Sequence, residues 1–147
     1  MSFTTQEQPQ IHVIGVSVRT SNAPGKADVD IPNLWMRFYR EDIQGKVQNK
    51  ASDYGIALYT DYEGDHTMPY TLILGCHVTS LDNIPEGLEG RTIPAGIYAT
   101  FACTGKPPES ILSTWQRIWQ ETNLNRTYKA DYEFYKSHDD VTIFIGI

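Results

Sequence analysis

A strand, an amphipathic helix and two further strands are written twice along this chain, and that order constrains its fold more than any single motif. In the first set, 11–18 is β-branched and apolar at Ile11, Val13, Ile14, Val16 and Val18, which predicts a strand. Asp30 is placed to cap a helix that tolerates Pro32 in its first turn. Ile31, Leu34, Trp35, Phe38 and Tyr39 share one face of that helix, which runs to about residue 47. Residues 54–62 and 70–78 follow as two strands joined by Glu63-Gly64-Asp65-His66, the second with Leu72, Leu74, Cys76 and Val78 at period two. Residues 80–90 carry Asp82, Asn83, Pro85, Gly87 and Gly90 and read as a linker. In the second set, 91–104 is a strand kinked near Pro94 and Gly96 and stopped by Gly105-Lys106-Pro107-Pro108. Ile111, Leu112, Trp115, Ile118 and Trp119 then mark an apolar helical stripe, and 130–137 and 141–147 are two strands around His138-Asp139-Asp140. Trp35 and Tyr39 match Trp115 and Trp119, each pair one helical turn apart, at an offset of 80 residues.

The expectation is an α+β fold of two pseudo-repeats, about 10–79 and 90–147, behind a flexible polar N-terminus at 1–9. A length of 147 residues suits one compact domain without a disulfide or metal staple. Twelve Lys and Arg against 18 Asp and Glu give a net charge of −6, which argues against direct nucleic-acid binding and tolerates cationic partners. No apolar run approaches a membrane span, and the first residues have neither the basic nor the apolar segment of a secretion signal, so a cytoplasmic location is expected. Cys76 and Cys103 lack CxxC spacing and read as two reduced, buried small hydrophobes, with a disulfide between them as the open alternative. His12, His66, His77 and His138 show no metal spacing, so neither a metal nor a cofactor is expected.

Four loose motifs in the right order carry a resemblance. Ile93-Pro94-Ala95-Gly96-Ile97-Tyr98-Ala99-Thr100-Phe101, then Gly105, the Trp115/Trp119 helix and Tyr132-Glu133-Phe134-Tyr135 resemble the second half of the GyrI-like effector-binding family. Tyr54-Gly55-Ile56, Asp61, Tyr70 and Gly75-Cys76-His77-Val78 resemble the central strands of its first half. This family includes the small-molecule-binding domain of AraC-type and multidrug-sensing transcriptional regulators, as well as free-standing proteins. The resemblance implies a curved antiparallel sheet with two helices forming a ligand groove. It also implies an acidic residue in the penultimate strand that meets a cationic ligand among aromatics, and Glu133 matches it. About ten residues precede the first strand, too few for a helix-turn-helix, so a sensor without its DNA-binding segment is expected.

Alternation along 130–137 puts Glu133 and Tyr135 on one face and Tyr132 and Phe134 on the other. A carboxylate buried there needs tyrosine hydroxyl donors or a bound cation. Seventeen aromatics are present, and tyrosines make better pocket walls than the Trp115/Trp119 stripe, which reads as core, because each hydroxyl seeks a partner. The candidate ligand-binding residues are therefore Glu133, Trp35, Tyr59, Tyr98 and Tyr135, and the expected ligand is an amphipathic, cationic small molecule. A partner protein or a second copy of the chain is a further expected partner. Two alternatives stay open: a small hydrolase of this fold, with Glu133 as general base beside Tyr98 or Tyr135, and a topoisomerase-interacting protein. Haem-binding proteins share a similar duplicated fold, but His77 alone is thin support for axial ligation.

Overall fold

The two repeats meet side by side in one antiparallel sheet. The computed structural model describes residues 3–121 and 123–147. Among the described residues the strands are β1 (Thr4–Gln8), β2 (Ile11–Thr20), β3 (Lys50–Thr60), β4 (Tyr70–Val78), β5 (Glu89–Ile93), β6 (Gly96–Ala102), β7 (Ala130–Ser137) and β8 (Asp140–Gly146). The helices are α1 (Ala27–Arg40), α2 (Ile43–Lys46) and α3 (Glu109–Gln120). The sheet order is β1-β6-β8-β7-β3-β4-β2-β5. Its inner six strands read symmetrically about the β7–β3 pair, with β6, β8, β7 of the second repeat mirroring β2, β4, β3 of the first.

Each repeat is preceded by a short strand that pairs with the other repeat: β1 on β6 and β5 on β2. Only Pro9 and Gln10 join β1 to β2, and only Pro94 and Ala95 join β5 to β6, yet the joined strands lie towards opposite ends of the sheet order. Two intervening residues let flanking Cα atoms separate by at most about 11 Å. The sheet must therefore curl into a half-barrel until its ends approach. Ile11, Ile93 and Tyr98, from both ends, accordingly share one cluster with Ile56, Leu58, Ile73 and Tyr132, which fills the inside of the curl.

The helices cover the other face. Leu34 and Phe38 of α1 pack on Val16, Ala57, Leu72 and Leu74, while Trp115 and Ile118 of α3 pack on Ala99, Phe101, Ile143 and Ile145. Between these layers β4 is buried at eight of its nine positions, so the two-residue alternation expected there is absent.

Three expectations are corrected. The 1–9 segment is not wholly frayed, because backbone pairing with β6 orders Thr4–Gln8 although its side chains are polar and mostly exposed. The single strand expected over 91–104 is divided, since Pro94 has no N–H to continue a ladder and the chain crosses there from one sheet end to the other. The first helix starts at Ala27, with Pro32 inside it, and stops at Arg40 before Asp42 takes a left-handed φ of 48°. Pro32 leaves the carbonyl of Asp28 without its helical donor, which is tolerable because Asp28 is exposed to water.

Candidate functional site

The site grows from β7, which lies between β3 and β8 at the centre of the sheet. Its alternation follows the expected pattern. Tyr132 turns into the curl and stacks on Phe144 with centroids 4.6 Å apart, whereas Glu133 and Tyr135 face the helices. Glu133 is 3% exposed. Its Oε2 accepts from the Tyr59 hydroxyl at 2.8 Å and the Trp115 indole Nε1–H at 2.7 Å, and its Oε1 accepts from the Tyr135 hydroxyl at 2.6 Å. Among the described residues no Lys, Arg or His nitrogen forms an ion pair with it. Burial raises its pKa above the usual carboxylate value, and the hydrogen bonds from Tyr135, Trp115 and Tyr59 only partly oppose that rise. Burial likewise raises the pKa values of Tyr59 and Tyr135, and the neighbouring carboxylate adds to both shifts, so the phenols stay protonated as donors.

Asp131, two residues earlier on the same face, is the contrasting case. It is fully buried, but Arg126 donates Nη2–H to its Oδ2 at 2.8 Å, with Tyr62 at 2.7 Å on the same oxygen and the Gly146 N–H at 3.0 Å on Oδ1. Among the described residues, one buried carboxylate of β7 thus has a cationic partner and the other has none. Removing a carboxylate from water costs several kcal/mol. Three neutral donors offset part of that cost, and a cation brought in beside Glu133 would offset the rest.

Glu133 opens onto a groove of about 840 Å³ between α1 and α3, within the size range of small-molecule sites. Ile31 and Trp35 form one wall, Ile111, Trp115 and Trp119 the other, and Tyr59, Glu133 and Tyr135 the floor. The rings meet edge to face: Trp35 on Tyr135 at 5.3 Å, and Tyr59 on Trp115 at 5.1 Å. This arrangement suits electrostatic and apolar binding of a flat or bulky organic cation. Among the described residues there is no group of three His, Cys, Asp or Glu placed to hold a metal ion.

The fold therefore brings four of the five predicted residues, Trp35, Tyr59, Glu133 and Tyr135, into one groove. Tyr98 does not join them. It points into the curl, packs against Tyr132 at 5.5 Å and donates its hydroxyl to the Pro94 carbonyl at 2.6 Å. The reason is phase: Ala99 and Phe101 of β6 face α3, so Tyr98 must face the opposite way. Trp115, read as core, is both core and site, since its ring packs on the sheet while its N–H reaches Glu133. The stripe it belongs to is split, with Leu112 and Trp119 exposed along the groove. Arg126, Tyr62 and His66 come from connecting segments and carry no periodic signal that would have marked them. Cys76 is buried, Cys103 half-buried, and both are free thiols.

Comparisons with known proteins agree with this architecture. The family described as "Cass2: Integron-associated effector binding protein" matches residues 4–147. The candidate transcriptional regulator YobU of Bacillus subtilis is 34% identical over 125 residues, covering 82% of this chain and 78% of that protein. The integron cassette protein VCH_CASS2 from the mobile metagenome of Vibrio cholerae superposes with a TM-score of 0.78 at 31% identity, over 98% of this chain and 94% of that one. The structure of SAV2435 bound to tetraphenylphosphonium gives a TM-score of 0.72 at 16% identity, over 99% of this chain and 92% of that one, a likeness of fold.

Proposed function

This chain belongs to the family of integron-associated effector-binding proteins, and from that premise we propose that its groove binds amphipathic, aromatic organic cations with Glu133 as the electrostatic anchor. The observation that carries the reading is the contrast on β7: among the described residues Asp131 has a guanidinium partner, whereas Glu133, also buried, has only neutral donors. A ligand cation would supply the missing charge, and the rings of Trp35, Tyr59, Trp115 and Tyr135 would shield it from water. The tetraphenylphosphonium bound by SAV2435, a protein of the same fold, is a cation of this chemistry.

The test uses two probes of the same size and shape but opposite charge. Tetraphenylphosphonium should bind at micromolar levels and quench tryptophan fluorescence, because Trp35, Trp115 and Trp119 all line the groove. Tetraphenylborate should bind at least about tenfold more weakly. Glu133→Gln keeps the shape: its carbonyl oxygen can accept from Tyr59 and Trp115 and its amide can donate to the Tyr135 oxygen. That variant should lose about ten- to a hundredfold in affinity for the phosphonium. Equal affinity for the borate, or an unaffected variant, would remove Glu133 as the anchor.

A further inference from the structure

The groove has a second polar end, built around the guanidinium of Arg126. The Arg126 side chain is 6% exposed and carries five N–H donors. One of them goes to Asp131, while Nε is buried with no hydrogen-bond partner among the described residues. The guanidinium carbon lies 4.4 Å from the centroid of the Tyr128 ring, which fixes its plane. His66 lines the same end. Its ring is within 13° of parallel to Trp119 and 24° of parallel to Tyr128, and its Nδ1 is likewise buried without a partner. Buried polar atoms in folded proteins are almost always hydrogen-bonded, so two such atoms on residues lining one end of one cavity indicate unused recognition capacity. The guanidinium's own charge is nevertheless matched, because Asp131 accepts from Arg126 as well as from Tyr62 and Gly146.

We propose that this end is a subsite for an uncharged hydrogen-bonding group, such as a carboxamide or an ester carbonyl, on the ligand whose cation meets Glu133, and that it rejects a second positive charge. The proposal rests on the reading of Glu133 as cation anchor and narrows the ligand class to monocations with an acceptor at a defined distance. Asp131 and Glu133 are two residues apart on β7, so the two subsites are spaced by about 7 Å along the strand. A second cation at the far end would face the fixed guanidinium of Arg126; Asp131 is already saturated, and Asp65, beside His66, is engaged by the backbone N–H and hydroxyl of Thr67. A carbonyl oxygen can accept from the guanidinium, and the N–H of a carboxamide suits His66 in its accepting tautomer.

Three probes with one anchor decide it: triphenylphosphonium carrying a pentyl tail, the same tail ending in a carboxamide, and the same tail ending in an ammonium. Titrated into the full chain, the carboxamide should bind about fivefold or more tightly than the plain tail, and the ammonium more weakly than either. Arg126→Lys keeps a cation for Asp131 but loses the planar fork of donors, and the ratio of carboxamide to plain affinity should fall to within about twofold. His66→Phe keeps the ring between Trp119 and Tyr128 without its nitrogens and should lower the same ratio, which gives a reading even if the Arg126 variant fails to fold. Equal affinity of plain and carboxamide tails for the parent chain, or tightest binding of the ammonium, would overturn the subsite while leaving the anchor standing. Absence of binding by the plain-tailed phosphonium, or its indifference to Glu133→Gln, would overturn both.

Discussion

Glu133 accepts three hydrogen bonds from neutral donors and meets no counter-ion among the described residues, and its behaviour with pH follows from that. Its native pKa is raised above the ordinary carboxylate value, mainly by burial. Well below the ordinary carboxylate pKa the group is protonated in both folded and unfolded chains and carries no penalty. As pH rises towards and through the raised native value, the unfolded chain gives up the proton more readily, and the folded state loses stability. Glu133→Gln has no such loss. The ligand-free variant should therefore melt at the same temperature as the parent or higher at neutral pH, with the difference closing as the pH falls towards the ordinary carboxylate range. Affinity for an organic cation should move the opposite way, weakening at acid pH as the carboxylate is neutralised. Thermal melts and titrations across that range check both signs, and a parent–variant difference independent of pH would contradict the assignment.

At the scale of elements, the tightest constraint is the crossing of β2 and β4. Gly15 and Gly75 sit opposite one another in that ladder. A Cβ on Gly75 would lie 2.3 Å from the Ile14 carbonyl oxygen, and one on Gly15 would lie 2.0 Å from that of Leu74. Both clashes are with backbone, which cannot rotate away. Gly75→Ala should therefore cost about 1–3 kcal/mol, a fall of several degrees in melting temperature. Gly25→Ala, where the added Cβ meets nothing within 4 Å but φ is +81°, isolates the purely conformational cost and should be the milder change. Equal melting of the Gly75 variant and the parent would mean that the two strands can separate more easily than their packing suggests. The clash matters to the site because β4 pairs with β3, which carries Tyr59, and β3 pairs with β7, which carries Glu133.

For the whole molecule, the floor of the groove is carried by β3 and β7, the central pair of the sheet. Binding should then stabilise the fold by simple linkage. At a hundredfold excess over the dissociation constant the gain is about 2.7 kcal/mol, which raises the melting temperature of a chain this size by several degrees. Tetraphenylphosphonium should produce that shift in the parent. In Glu133→Gln the shift should shrink at the same ligand concentration, by the amount its weaker affinity dictates. A shift of equal size in both would place the cation elsewhere on the surface. The curl itself depends on the two connections at Pro9-Gln10 and Pro94-Ala95, which tie opposite ends of the sheet together where no ladder does.

The duplicated order of elements and the face of β7 that carries Glu133 were legible in the residues, because both depend on local periods of 3.6 and 2 that each segment expresses by itself. The equivalence of Trp35 and Trp115 in the two repeats was legible for the same reason, but that Trp115 also lines the groove was not, because its stripe reads as core and only the fold shows its N–H reaching Glu133. Tyr98 was misplaced because alternation says only that it lies opposite Ala99 and Phe101, and packing decides which of the two faces meets α3. Whether Glu133 had a counter-ion was a tertiary matter altogether. Arg126 lies seven positions before it, in a connecting segment, and only the folded chain decides that its guanidinium turns to Asp131 and leaves Glu133 to neutral donors. Local sequence sets which way a side chain points, whereas charge compensation in a buried site depends on what every other segment brings to it through space.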